Sequence, residues 1–329
     1  MKVKQSRQQD GSIRLEAQTS AFELRDALDY AYRAFSESIG LKPSPEQTIE
    51  EAAQATLGLS DLTPQIQPYL EQRLIALAVD KSGIFPAFLP KTATLSQPKS
   101  KKGICLECNV TPKPAFELSS YDPVSISVVK PVIFEEDITR EMALYENILD
   151  DFDDPDKREK LRNLIVQKIE DTNAQTFLNQ KRQAASIELA KRLEGSIPDE
   201  ILRSMFMELL EGLKTQLKSQ GTPFADFLEE HGGEENVNML LMWQARESLR
   251  QGYALDALFR HRKMKITEAD VDSTACTIAG LADPVKAREN ARAMGKMYAV
   301  KEAAQRFKAT DWLVETAEIT IRDQSPLEN

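Results

Sequence analysis

Residues 196–221 read SIPDEILRSMFMELLEGLKTQLKSQG, and the way this run starts and stops decides the fold. Apolar side chains recur at Leu202, Phe206, Leu209, Leu213 and Leu217, the spacing of one helical face. Ser196 with Asp199 makes an S-x-x-D capping pattern, and Pro198 falls in the first turn, where a missing N–H costs little. Gly221 suits a left-handed C-cap, and Thr222-Pro223 restarts the chain into a short helix carrying Phe224, Phe227 and Leu228. His231-Gly232-Gly233 ends it. The next helix, with Val237, Leu240, Leu241, Leu249 and Leu258 as its apolar side, runs to about Arg262. Ile266, Thr267, Asp270 and Val271 then give a staple and a capping box for another. No glycine cradle, nucleophile or metal cluster interrupts these helices, so the stretch reads as a surface that holds.

Upstream, Lys157 to Glu194 carries Leu161, Leu164, Ile165, Ile169, Phe177, Leu178, Leu189 and Leu193 over many turns, which predicts one long helix. The acidic run Asp150 to Asp156 precedes it. Lacking the glycine and terminal glutamate of a calcium loop, it reads as a cap at the positive end of the helix dipole. Downstream, Asp283-Pro284 opens a helix through Met294, Met297, Tyr298 and Val300 to about Phe307. A short terminal helix at Trp312 to Val314 follows, then an extended piece with Ile319 and Ile321.

The first third is built differently. Val3 to Gln8 and Ile13 to Gln18 read as strands joined through Asp10-Gly11, and Ser20 with Glu23 caps a helix whose stripe is Leu24, Leu28, Ala31, Tyr32, Phe35 and Ile39. Helices over Thr48 to Leu57 and Pro64 to Lys81 follow, then a strand in which Ile104, Leu106, Cys108 and Val110 alternate with Cys105, Glu107 and Asn109. Cys105 and Cys108 form C-x-x-C, but residues three apart on a strand point to opposite faces, so both read as ordinary strand cysteines. Val124, Ile126 and Val128 alternate with serines before a helix carrying Ile138, Met142, Tyr145 and Leu149.

The ordered series Leu189-Ala190-Lys191-Arg192-Leu193, Ile197-Pro198-Asp199-Glu200-Ile201-Leu202, Leu217-Lys218-Ser219-Gln220-Gly221 and Phe224-Ala225-Asp226-Phe227-Leu228 resembles the substrate-holding C-terminal domain of trigger factor. The likeness continues through Trp243-Gln244-Ala245-Arg246, Ala254-Leu255-Asp256-Ala257-Leu258 and Met264 to Val271, and more faintly over 1–130. It implies a cytosolic bacterial chaperone with a ribosome-docking domain, an inserted prolyl-isomerase domain and a helical body with two arms. The expected fold is an α+β N-terminal domain followed by a mostly α-helical domain with protruding helical arms. Its divisions are 1–115, a linker and helix over 116–156 where the family inserts its isomerase, and a holding domain over 157–329. The chain passes from the Leu149 helix through the aspartates straight into the next, with no isomerase domain between. In the place of the family's docking loop stand Gly40, Leu41 and Lys42, without the aromatic and arginine that a phosphate-facing tip needs, which counts against ribosome docking.

The composition fits such a protein. Charged residues make up 29% and apolar ones 41%, and a net charge of −10 argues against general DNA or RNA binding. No apolar run marks a signal peptide in residues 1–10, and none spans a membrane, so a cytoplasmic protein is expected. Three cysteines give no disulfide framework; His231 and His261 stand at helix ends without metal spacing, and the basic runs Lys99 to Lys102 and Arg260 to Lys263 read as solvated loop charge.

No cofactor or metal is expected, and no catalytic residue is visible. The leading reading is an ATP-independent chaperone for unfolded or nascent polypeptide. The alternatives are the family's nominal peptidyl-prolyl isomerase activity or a scaffold for one dedicated partner; homodimerisation stays open. The candidate polypeptide-binding residues are Met205, Phe206, Leu209, Phe224, Phe227, Met239, Met242, Trp243, Met294 and Met297, joined by Met207 on methionine's adaptability.

Overall fold

The computed structural model describes residues 1–41, 47–59, 61–98, 103–146 and 154–323. In chain order they form β1 (Lys2–Arg7), β2 (Ile13–Gln18), α1 (Ala21–Ser38), α2 (Ile49–Leu57), α3 (Thr63–Ser82), β3 (Thr94–Ser96), β4 (Cys105–Val110), β5 (Ser125–Lys130), α4 (Glu135–Glu146), α5 (Pro155–Ala190), α6 (Asp199–Gln220), α7 (Phe224–Glu230), α8 (Glu234–His261), α9 (Glu268–Ala279), α10 (Pro284–Ala293), α11 (Met297–Thr316) and β6 (Glu318–Asp323). A small sheet-and-helix region is thus followed by a mostly helical one. The described residues group into two units, one from 1–115, 197–246 and 265–305, the other from 116–196, 247–264 and 306 onward.

In the first unit β1 pairs antiparallel with β2, Lys2 opposite Gln18 and Arg7 opposite Ile13, and Gly11 supplies a φ of 86° at the turn. β4 lies on the other edge of β2 and β3 beyond it, giving the order β1-β2-β4-β3. Strand alternation gathers Leu15, Ala17, Leu106, Cys108 and Val110 into a core with Ala27, Ala31, Phe35, Leu70, Leu74 and Ala78 of α1 and α3. The cap predicted for α1 is present in both directions: the Ser20 N–H donates to Glu23 Oε2 at 2.8 Å, and the Glu23 N–H to Ser20 Oγ at 3.2 Å.

Burial on this strand pushes the Cys108 thiol from an ordinary 9.0 up to about 11, with the Glu107 charge adding to it. Below pH 9 the folded protein therefore keeps the neutral thiol. The stability that this contributes is intact there and is lost as pH rises from 9 toward 11, because the unfolded chain gives up the proton first. At pH 8 a disulfide reagent is expected to leave Cys108 unmodified until denaturant is added; full labelling in buffer would show that the strand is open.

The helices of the chain depart from the sequence expectation three times. Ser196 does not cap α6: Pro198 is the N-cap residue, with no side-chain hydrogen bond there, and Asp199 is the first helical position. With Pro198 extended at ψ 138°, the Asp199 carboxylate starts the first turn and acts on the helix dipole rather than as the far half of a box. The helix expected over 283–307 is broken, since α10 ends at Ala293 and Gly295, at φ 64°, turns the chain into α11. Trp312, placed in a separate short helix, belongs to α11.

Elsewhere the signals correspond. Gly221 takes φ 73° behind α6, Thr267 and Asp270 form a reciprocal cap on α9, and Asp283 caps α10. α9 and α10 pack through Val271, Ala275 and Ala287, joined by Met297 and Val300 of α11. The N-terminal end of α11 is anchored on α3, where the Tyr298 N–H donates to Asp80 Oδ1 at 2.8 Å.

In the second unit β5 and β6 pair in parallel, Ser125 opposite Glu318 and Lys130 opposite Asp323, and β5 packs on α5. Asp154 caps α5 by accepting from the Asp156 and Lys157 N–H groups; residues 150–153 of the aspartate run, like the basic run 99–102, lie outside the described residues. Residues 147–154 lie between α4 and α5. The basic run near His261 is structural. Arg260 donates to the Phe116 carbonyl and Arg262 to that of Tyr121 at 2.8 Å, the His261 ring stacks on Tyr121 at 3.6 Å, and Arg262 also covers Trp312 at 4.4 Å. No described helix is long and apolar enough to cross a membrane.

Candidate functional site

Residues 197–246 place α6, α7 and the first half of α8 in the first unit, and their burial separates two kinds of apolar position. On α6, Ile201 and Leu217 are buried, while Met205, Phe206 and Leu209 are half-buried and Met207 is exposed. α7 carries no buried residue. Its Phe224 is half-buried, with the Lys214 ammonium 5.7 Å from the ring centre, and Phe227 stacks on His231 at 3.9 Å. The His231 Nδ1 also sits 2.8 Å from the Phe227 carbonyl, so this histidine finishes a helix.

The decisive contrast is on α8. Val237, Leu241 and Ala245, four residues apart, are buried, whereas Met239, Leu240 and Trp243 stand 61%, 53% and 64% exposed. Met242 is half-buried. An exposed tryptophan beside an exposed methionine and leucine on one helix is unusual, because such side chains normally find cover. The sequence pattern groups Leu240 with Val237 and Leu241 on one apolar side. At about 100° per residue it cannot share a narrow face with both Val237 and Leu241, and that angle was the signal available in the sequence.

The other candidates are dispersed. Met294 is half-buried at the end of α10, and Met297 is in the core between α9 and α11, only 7% exposed. Gly40 and Leu41 finish α1: the Leu41 N–H reaches the Ser36 carbonyl at 2.9 Å, and its side chain packs against the N-terminal core. Lys42 lies outside the described residues. Among the described residues no cluster of histidine, cysteine and carboxylate is placed to hold a metal ion.

Residues 158–315, which include this whole surface, match the family described as bacterial trigger factor protein (TF) C-terminus. Over these residues the chain is similar to the trigger factor family. A trigger factor of Pelotomaculum thermopropionicum is 24% identical over 179 residues, 54% of this chain and 41% of that protein, so the match spans less than half of the relative's length. Two solved trigger factor structures are also similar. One, of domains from Thermotoga maritima, has a TM-score of 0.35 at 16% identity over 44% of this chain and 86% of its own. The other, titled for promiscuous substrate recognition in folding and assembly by the trigger factor chaperone, has a TM-score of 0.39 at 13% identity over 96% and 99%. The trigger factor match begins in the first turn of α5 and ends in the last turn of α11, leaving the N-terminal sheet outside it.

Proposed function

We propose that this protein is an ATP-independent chaperone of the cytoplasm, holding unfolded or nascent polypeptide against the apolar surface of α6, α7 and α8. The observation that carries the reading is the exposed Met239, Leu240 and Trp243 on α8, opposite a buried stripe that already anchors the helix. The similarity of residues 158–315 to the trigger factor C-terminus supports it. Apolar contact is non-directional, so such a surface takes many sequences, and the unbranched methionines fit their shape to each. No step calls for a nucleotide or a metal.

Binding and release follow the client's own folding, since a chain that buries its apolar side chains internally no longer competes for the surface. The reading needs no ribosome, and with Gly40 and Leu41 engaged in closing α1, co-sedimentation with ribosomes is not expected. The test is to dilute a chemically denatured client into nucleotide-free buffer and follow light scattering. A stoichiometric amount of this protein is expected to suppress most of the scattering. Scattering that is unchanged rejects the proposal.

A further inference from the structure

A cleft of about 530 Å³ opens within the first unit, walled by α1, α3 and the α9 to α11 group. Its lining contains buried charge that the fold does not satisfy. Arg73 of α3 is only 6% exposed, its guanidinium lying over the Tyr30 ring at 4.7 Å. One nitrogen, Nη2, donates to Asp26 Oδ2 at 3.3 Å, long for a charge-assisted contact, and the buried Nε and Nη1 have no acceptor. Arg288 of α10 gives two nitrogens to Glu268 and Asp272 at 2.6 and 2.9 Å, and its buried Nε also lacks an acceptor. Buried N–H donors left without partners are rare in folded proteins, and three on two arginines of one cleft ask for an oxygen-bearing group.

The remaining charges point the same way. Arg292 and Lys301 also line the cleft and are exposed. The lining carboxylates are engaged: Glu23 with the Ser20 cap, Asp80 with the Tyr298 N–H, Glu268 with Arg288 and Asp26 with Arg73. Among these contacts the Asp26 bond is the loosest, and its side chain is 60% exposed. Phe22, 79% exposed, and Leu77 supply apolar wall beside the cations.

We propose that this cleft binds a carboxylate of a polypeptide segment. The carboxylate displaces Asp26 to reach Arg73 and meets Arg288 from the other side, while a neighbouring apolar side chain of the same segment covers Phe22 and Leu77. Asp26 is then an internal stand-in that keeps the guanidinium from standing wholly unpaired. The inference rests on the polypeptide-holding reading above and adds a charge preference to it.

Calorimetric titration of the full chain tests it, using a decapeptide that alternates leucine with aspartate and its counterpart with asparagine. The acidic peptide is expected to bind at least about tenfold tighter, and the double variant Arg292→Gln/Lys301→Gln to lose most of that margin. Arg73→Gln removes a buried group and could unsettle the fold, so the decision falls on exposed Asp26. Asp26→Asn is expected to tighten the acidic peptide roughly threefold to tenfold, while Glu315→Gln, which removes the same charge away from the cleft, leaves it unchanged.

Equal affinity for the two peptides, or equal behaviour of Asp26→Asn and Glu315→Gln, overturns the proposal. So does inorganic phosphate displacing the peptide at micromolar concentration, which would make this a site for a free oxyanion. Scattering measured alongside separates the two readings. A protein that suppresses aggregation but binds both peptides alike loses the cleft proposal alone; one that prefers the acidic peptide yet suppresses nothing loses the chaperone reading alone.

Discussion

Gly295→Val is expected to destabilise the first unit by about 2–5 kcal/mol, the sum of a non-glycine residue held at positive φ (~1–2 kcal/mol) and an overpacked contact (~1–3 kcal/mol). Gly295 sits at φ 64°, and a Cβ there would meet the Ala76 carbonyl carbon at 2.8 Å and the Leu77 nitrogen at 2.9 Å. Both are backbone atoms of α3, in the middle of a helix that cannot flex like a side chain tip. The reversal between α10 and α11 therefore rests on α3 passing against a residue with no side chain. The measurable result is a fall of about 10 °C in the thermal midpoint. Gly212 provides the opposite sign: it lies inside α6 with nothing within 4 Å of an added Cβ, so Gly212→Ala is expected to stabilise by roughly 0.5–1 kcal/mol. If alanine at 295 leaves the midpoint where it was, the close approach to α3 is wrong.

The same glycine shows where sequence reading stops. Met294, Met297, Tyr298 and Val300 keep an apolar rhythm across the break, and a lone glycine in such a pattern is usually tolerated within a helix. What ends α10 is contact with α3, more than 200 residues earlier, and no local signal carries that. Where the information is local, reading succeeds: Ser20 with Glu23, Thr267 with Asp270 and Gly221 each satisfy end groups of their own helix, so residue type and spacing suffice. Ser196 failed because two competing start signals stood together, and Pro198, two residues nearer the helix, took the cap position.

The exposed apolar face of α8 was half legible for a related reason. Hydrophobic periodicity tells that α8 has apolar positions all round, but not which of them find cover. Met297 and Trp243 look equally apolar in sequence; one sits in a core with Val271 and Val300, and the other faces outward. The cleft was invisible for a stronger reason. Arg73 and Arg288 stand in ordinary amphipathic helices, and their unsatisfied donors exist only once α3 and α10 are folded into one unit.

Replacing Met239, Leu240 and Trp243 together by glutamine is expected to reduce aggregation suppression about tenfold while leaving the thermal midpoint within roughly 2 °C of the parent. The asymmetry follows from exposure. Trp243 keeps 64% of its surface in water, so folding gains little from it and loses little without it. An aromatic side chain of 150–250 Å² exposed to that extent offers about 100–160 Å² to a client, or ~2.5–4 kcal/mol at 25 cal/mol per Å² if fully covered. Lost mobility on both sides takes back much of this, and a net of ~1.4 kcal/mol is the tenfold difference expected. Glutamine is chosen because it sustains a helix nearly as well as leucine and methionine do, so α8 keeps its propensity while its outer face turns polar. Val237→Gln on the buried stripe should do the reverse, lowering the midpoint by placing an amide where Val237 is 4% exposed, without touching the outer face. A folded triple variant that suppresses aggregation as well as the parent would mean that clients are held elsewhere, and that the exposure of Trp243 serves another contact.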